Sequence, residues 1–221
     1  MFQSLFNPDS AFFRFTGRVL DAVVLSVLFL VCCVPVVTIG PAASALYYSC
    51  VKYLRRGESG AYRGFFHAFR DNLRAGIPAT LFFLLLGLAL DALYLFLTMA
   101  AQAQGQVWPL VRVVYCVLLL LPLSYLAVTF PLLSRFTFTA GGLLSTALRL
   151  TLRHLPAALG TAVVLAASVV LTLRFLYWGA VLLTPAVCAL VSSLLLEPVF
   201  RRYTPKGDGG DEGGYRPWYL R

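Results

Sequence analysis

Charge is what this sequence has least of. Only 12% of its 221 residues are Asp, Glu, Lys or Arg, and just nine are acidic, against about 25% charged residues in an ordinary soluble domain. Histidine occurs twice, at His67 and His154, with no carboxylate or cysteine partner at ligand spacing, so no metal site is expected. Walker loops, G-x-S-x-G and H-E-x-x-H are all missing, which leaves an enzyme nothing to stand on and implies no cofactor. The five cysteines, Cys32, Cys33, Cys50, Cys116 and Cys188, lie in apolar stretches without C-x-x-C spacing. They read as small packing residues rather than ligands or a disulfide framework. No small-x-small cleavage site follows the first apolar run, so that run is expected to stay in place.

What the chain has instead is apolar length. Hydrophobic residues make up 60% and mean hydropathy is +0.82, the composition of a polytopic integral membrane protein. The net charge of +9 falls between apolar runs, where Lys and Arg face the cytoplasm and anionic headgroups. A nucleic-acid partner is therefore not expected, whereas the lipid bilayer is. The fold class is accordingly all-α, a transmembrane bundle of five or six membrane helices, one of them short or re-entrant, with amphipathic helices along the inner surface. Residues 1–204 form one domain. Residues 205–221, rich in glycine and acid, read as a disordered cytoplasmic tail.

A proline-marked turn, Pro35-Val36-Val37-Thr38-Ile39-Gly40-Pro41, breaks the first apolar run. Neither proline has an N–H to continue a helix, and backbone groups freed at membrane depth need partners. Thr38 is the residue to supply one through its hydroxyl. Residues 19–37 lead into the turn, and residues 42–51, with Ala42, Ala45 and Ser49 on a small face, lead out of it. Arg14 and Arg18 stand before this unit, and Lys52, Arg55, Arg56, Arg63, Arg70 and Arg74 stand after it. The positive-inside rule asks for both ends on the cytoplasmic side. A hairpin or re-entrant second leg satisfies that; a single crossing requires the two early arginines to be outvoted.

Residues 61–74 alternate Phe65, Phe66, Phe69 and Leu73 with Arg63, His67, Arg70 and Arg74 at helical spacing, as a surface helix would. This helix is expected to turn into the next span, residues 75–100, at Gly76-Ile77-Pro78. Further spans cover residues 108–133, 156–173 and 175–200. Between them, residues 143–155 carry a stripe of Leu144, Leu148, Leu152 and Leu155 beside Arg149 and Arg153. The segments 68–74 and 147–153 share Ala-x-Arg-x-x-Leu-Arg, which reads either as a weak internal repeat or as coincidence in an apolar background.

Ionisable groups inside spans are costly and usually face a partner or a cavity. Asp91 and Arg112 flank the same outer loop, so the two could pair and, with Asp21 as a separate inner group, line a polar pocket. A helix-locking pair or snorkelling side chains is the other reading. Glu197, one turn before Arg201, reads as a local pair at a helix end. The exposed inner face, Arg63, Arg70, Asn72, Arg74, Arg149 and Arg153, is a candidate docking surface.

The Pro35–Gly40 turn with its small-residue helix, Phe69-Arg70-Asp71-Asn72, and Phe130-Pro131-Leu132-Leu133-Ser134-Arg135-Phe136 together resemble the YesL-like family of bacterial membrane proteins over residues 1–204. The turn, Pro35, Thr38, Gly40 and Pro41, is the most specific part. The resemblance implies a largely uncharacterised protein whose genes often accompany carbohydrate-uptake and polysaccharide-degradation systems, and carries over no catalytic residue. Two functions are then expected: an accessory or permease-like component of carbohydrate uptake, or a membrane scaffold or sensor whose basic face docks a transporter or signalling protein. Either is expected in the bacterial plasma membrane, multi-pass, with the C-terminus in the cytoplasm.

Overall fold

The computed structural model describes residues 11–55, 60–102, 108–174 and 182–203. The tail at 205–221 and the start of the chain lie outside the described residues. Among these every regular element is helical: α1 (Ala11–Cys32), α2 (Ile39–Ser49), α3 (Ala61–Gln102), α4 (Trp108–Leu133), α5 (Ala140–Arg153), α6 (Leu155–Arg174) and α7 (Thr184–Tyr203). A 3-10 turn at Val36–Thr38 leads into α2, and a π-helical turn at Cys50–Arg55 ends it.

Among the described residues four helices are long and apolar enough to cross a membrane, within α3, α4, α6 and α7. The shortest, of 20 residues, is about 30 Å long, the thickness of a hydrocarbon core. Their outward surfaces are apolar: Leu85 and Phe96 on α3, Val117 on α4, Val170 on α6 and Leu194 on α7 are each more than half exposed. A continuous apolar exterior of this kind is tolerated by lipid and not by water. Helix contacts are made through small residues. Ala42, Ala45, Ala79, Ala147, Ala162 and Ala186 are all fully buried, which lets backbones approach where no hydrophobic drive between helices exists.

One expectation is corrected by the structure. Gly76-Ile77-Pro78 is not a turn: α3 runs unbroken for 42 residues with Pro78 in its interior. The lost N–H costs one carbonyl partner, and tertiary packing in a membrane bundle tolerates that. Gly76 serves as a seat for Pro41, since a Cβ there would stand 2.6 Å from Pro41 Cγ. In α5 the leucine stripe faces mainly outward, with Leu144 partly buried against the core. Leu148 and Leu152 are exposed, while Leu143, Ala147, Leu150 and Thr151 are buried. Small Ala147 admits closer packing against α3 and α4 than a leucine row could, so the neighbouring stripe took the core. After α5 the chain breaks at His154, and Pro156 sits in the first turn of α6, where no N–H is needed.

The two Ala-x-Arg-x-x-Leu-Arg segments share burial at equivalent positions, Ala68 with Ala147 and Asn72 with Thr151. Beyond them the chain diverges, since α3 continues and α5 stops. The two segments thus share one buried helix face.

Candidate functional site: a clamped turn and a buried ion pair

The turn between α1 and α2 is built from its own residues first. The Thr38 hydroxyl lies 2.6 Å from the carbonyl oxygens of both Cys32 and Pro35, so one proton is shared between the last carbonyl of α1 and the carbonyl before the 3-10 turn. The start of α2 is then gripped by two other helices. Gly40 N–H donates to Thr80 Oγ1 at 3.2 Å, and Thr80 in turn donates to the Gly76 carbonyl at 2.7 Å. A Cβ on Gly40 would overlap the Thr80 hydroxyl and the Phe130 ring. Glycine is required here by close approach, not by backbone conformation. Pro35, by contrast, is exposed, and Pro41 is buried against α3.

Below this clamp lies a buried ion pair that sequence reasoning missed. Arg135, just after α4, donates through Nη2 to Glu197 Oε2 on α7, and each side chain is 5% exposed. The Arg135 guanidinium also lies 5.6 Å from the centre of the Phe200 ring. Arg201 Nε reaches Glu197 Oε1 at 3.6 Å from an exposed position, so the local pair read from the sequence is present but secondary. Tyr47 of α2 is buried in the field of Arg135, Glu197 and Arg55, and its hydroxyl has no hydrogen-bond partner among the described residues. The signal available in the sequence was modest: Arg135 ends a long apolar run, and Glu197 is the one acidic residue in the last run.

Of the residues expected to line a polar pocket, Asp21 and Asp91 are both exposed on helix surfaces and line neither of the two cavities described below. The side chain of Arg112 lies outside the described residues. Close to Asp91, Tyr115 instead donates to the Leu90 carbonyl at 2.7 Å, joining α3 to α4.

A cavity of about 350 Å³ lies between α1, α2, α4, α6 and α7. Phe29, Leu46, Leu126, Phe130, Leu165 and Val169 line it together with Tyr47, Thr184, Ser192 and the three α6 residues Thr161, Ser168 and Thr172. Those three hydroxyls donate to carbonyls of their own helix, Ala158, Leu165 and Ser168, at 2.7–2.8 Å. A hydroxyl committed to its own backbone offers its neighbour little more than a methyl-sized surface.

The clamped turn falls in the part of the chain that matches a known family. Residues 22–94 match the family described as "Protein of unknown function, DUF624". This is the YesL-like family that the sequence resembles. The matched segment runs from α1 through the turn and α2 to Tyr94 in α3, so it holds Thr38, Gly40, Gly76 and Thr80 and stops short of Phe130, Arg135 and Glu197. No curated protein and no solved structure matches the chain.

The predicted docking face divides. Arg63, Arg70 and Arg74 on α3 reach the surface, as do Arg149 and Arg153 on α5. Asn72 is not part of it: the residue is 7% exposed and its Nδ2 has no partner among the described residues. At its helix position Asn72 falls on the Ala68 side, which packs inward, and not on the arginine side. His67 is exposed and 3.3 Å from Asp71. Among the described residues no three His, Cys, Asp or Glu side chains converge as a metal site.

Proposed function

We propose that the protein is a non-enzymatic membrane scaffold whose arginines on α3 dock an acidic segment of a partner at the cytoplasmic surface. In this reading α1 and α2 form a membrane hairpin beside the spans of α3, α4, α6 and α7, which brings the membrane helices to six, and the C-terminus is cytoplasmic in a bacterial plasma membrane. The observation that carries it is the character of the interior. A permease-like path for a sugar needs free donors and acceptors at depth. Here Arg135 and Glu197 are paired with each other and Thr161, Ser168 and Thr172 are turned to their own helices, against which stands the Tyr47 hydroxyl, which has no partner among the described residues. By contrast Arg63, Arg70 and Arg74 reach the surface, and none of them has an ion-pair partner among the described residues.

The resemblance to YesL-like proteins supplies the class of partner, a carbohydrate transporter, and so keeps an accessory role in uptake within the proposal. Co-purification in mild detergent tests it. The parent protein is expected to retain a transporter subunit that the triple variant Arg63→Glu, Arg70→Glu, Arg74→Glu releases. Equal retention by both, or no bound protein with either, would remove the scaffold reading. Unchanged sugar uptake in a deletion strain would remove the link to carbohydrate.

A further inference from the structure

A second cavity of about 360 Å³ opens between α4, α5 and α7, within the range of about 300–1,000 Å³ found for small-molecule sites. Its floor is apolar, formed by Leu132, Phe136, Phe138 and Phe200, and its rim carries Arg149 and Arg153. The two arginines are one helical turn apart on α5, so they project to the same side. Arg153 is held over the Tyr203 ring at 5.9 Å, and Tyr203 is fixed by His154 Nε2 at 3.0 Å from its hydroxyl. No acidic residue lines the cavity; Arg135 is paired with Glu197, Arg201 reaches the same carboxylate, and Arg202, which adjoins Tyr203, is not among the lining residues.

The surroundings place this cavity at a membrane boundary. The spans of α4 and α7 end beside it at Leu133 and Tyr203, and Leu148 and Leu152 extend outward from the same helix as the arginines. Apolar side chains reaching out below a pair of cations are the pattern of a helix lying at the headgroup level. Two forked donors facing an apolar slot match a phosphate carrying a hydrocarbon chain.

From this juxtaposition we infer that the α4–α5–α7 cavity binds an anionic phospholipid, with its phosphate on Arg149 and Arg153 and the start of an acyl chain against Leu132 and Phe200. The inference is independent of partner docking by α3. Charge at a membrane surface sets the size of the effect, on the order of fivefold in affinity per arginine and about 30-fold for both.

Native mass spectrometry of the full chain, titrated with phosphatidylglycerol or phosphatidylcholine, tests it. The parent is expected to retain phosphatidylglycerol preferentially, and Arg149→Gln with Arg153→Gln to lose that preference by about 30-fold. Thr146→Phe, which fills the cavity and leaves both charges, is expected to weaken retention as well. Arg63→Gln with Arg70→Gln removes equal charge elsewhere and is expected to leave it unchanged. Equal loss in the α3 variant, or full retention in Thr146→Phe, would reduce the effect to general surface charge and overturn the site. Displacement of the lipid by inorganic phosphate at millimolar concentration would assign the arginines to a free anion, and displacement by an acidic peptide would assign them to a protein; either result overturns the lipid.

Discussion

Removing one partner of the Arg135–Glu197 pair gives the sharpest test of the structure. Glu197→Ala leaves the Arg135 guanidinium buried with its carboxylate gone, and the other group on that carboxylate, Arg201, is itself a cation. Breaking a buried pair from one side costs about 3–5 kcal/mol, because the remaining charge is left uncompensated. For a chain of this size about 1 kcal/mol corresponds to roughly 2–4 °C in midpoint, so a fall of about 6–20 °C is expected in detergent, followed by intrinsic fluorescence and checked by size exclusion. Replacing both partners with apolar residues, Arg135→Met with Glu197→Leu, removes the charge problem and is expected to recover most of the loss. The two single changes and the double change form a cycle whose coupling isolates the pair. A loss below about 1 kcal/mol in Glu197→Ala would place both groups in contact with water and refute their burial. A double variant no better than the singles would show that packing against Phe200, not charge, holds α4 to α7.

Other substitutions probe the turn. Thr38→Val removes the hydroxyl shared by the Cys32 and Pro35 carbonyls and is expected to cost about 1–3 kcal/mol in thermal stability, with Thr38→Ser recovering most of it; equal stability of Val and Thr would leave the turn as packing alone. Gly40→Ala forces a Cβ onto Phe130 and Thr80 and is expected to cost about 1–3 kcal/mol or more. Gly87→Ala, where no atom lies within 4 Å of the added carbon, is expected to be neutral or to gain up to about 1 kcal/mol from helix propensity; the same thermal scan reads both. Cys50 is fully buried, so its thiol is expected to resist a water-soluble maleimide in the folded protein and to react after denaturation in SDS.

How much of this could be read beforehand depends on how far apart the cooperating residues lie. Helical class and membrane location follow from apolar length alone. The role of Thr38 was legible because its partners are three and six residues away and the prolines announce which carbonyls need help. Arg135 and Glu197 are 62 positions apart, one in a connection and one mid-helix, and local spacing favoured Arg201 as the partner instead. The inward face of α5 was unreadable for a different reason. Two adjacent stripes are both apolar, and only the proximity of α3 and α4 selects the one carrying Ala147. Gly76 and Pro78 signal a turn by rules learned from helices in water; in α3 the glycine seats Pro41 of α2 and the proline sits exposed within a continuous helix.

The clamp on Gly40 bears on the order in which the protein can be made. Chains emerge from the N-terminus, and Thr80 lies 40 residues beyond Gly40, with Phe130 later still. The α1–α2 turn must therefore wait in or beside the bilayer with its final partners unsynthesised. During that interval only bonds that close within the turn are available to it, those of the Thr38 hydroxyl and backbone ones such as Ile39 N–H to Val36 and Val34 N–H to Val31. Local bonds centred on one threonine thus hold the early intermediate, and the glycine locks it only when α3 and α4 arrive.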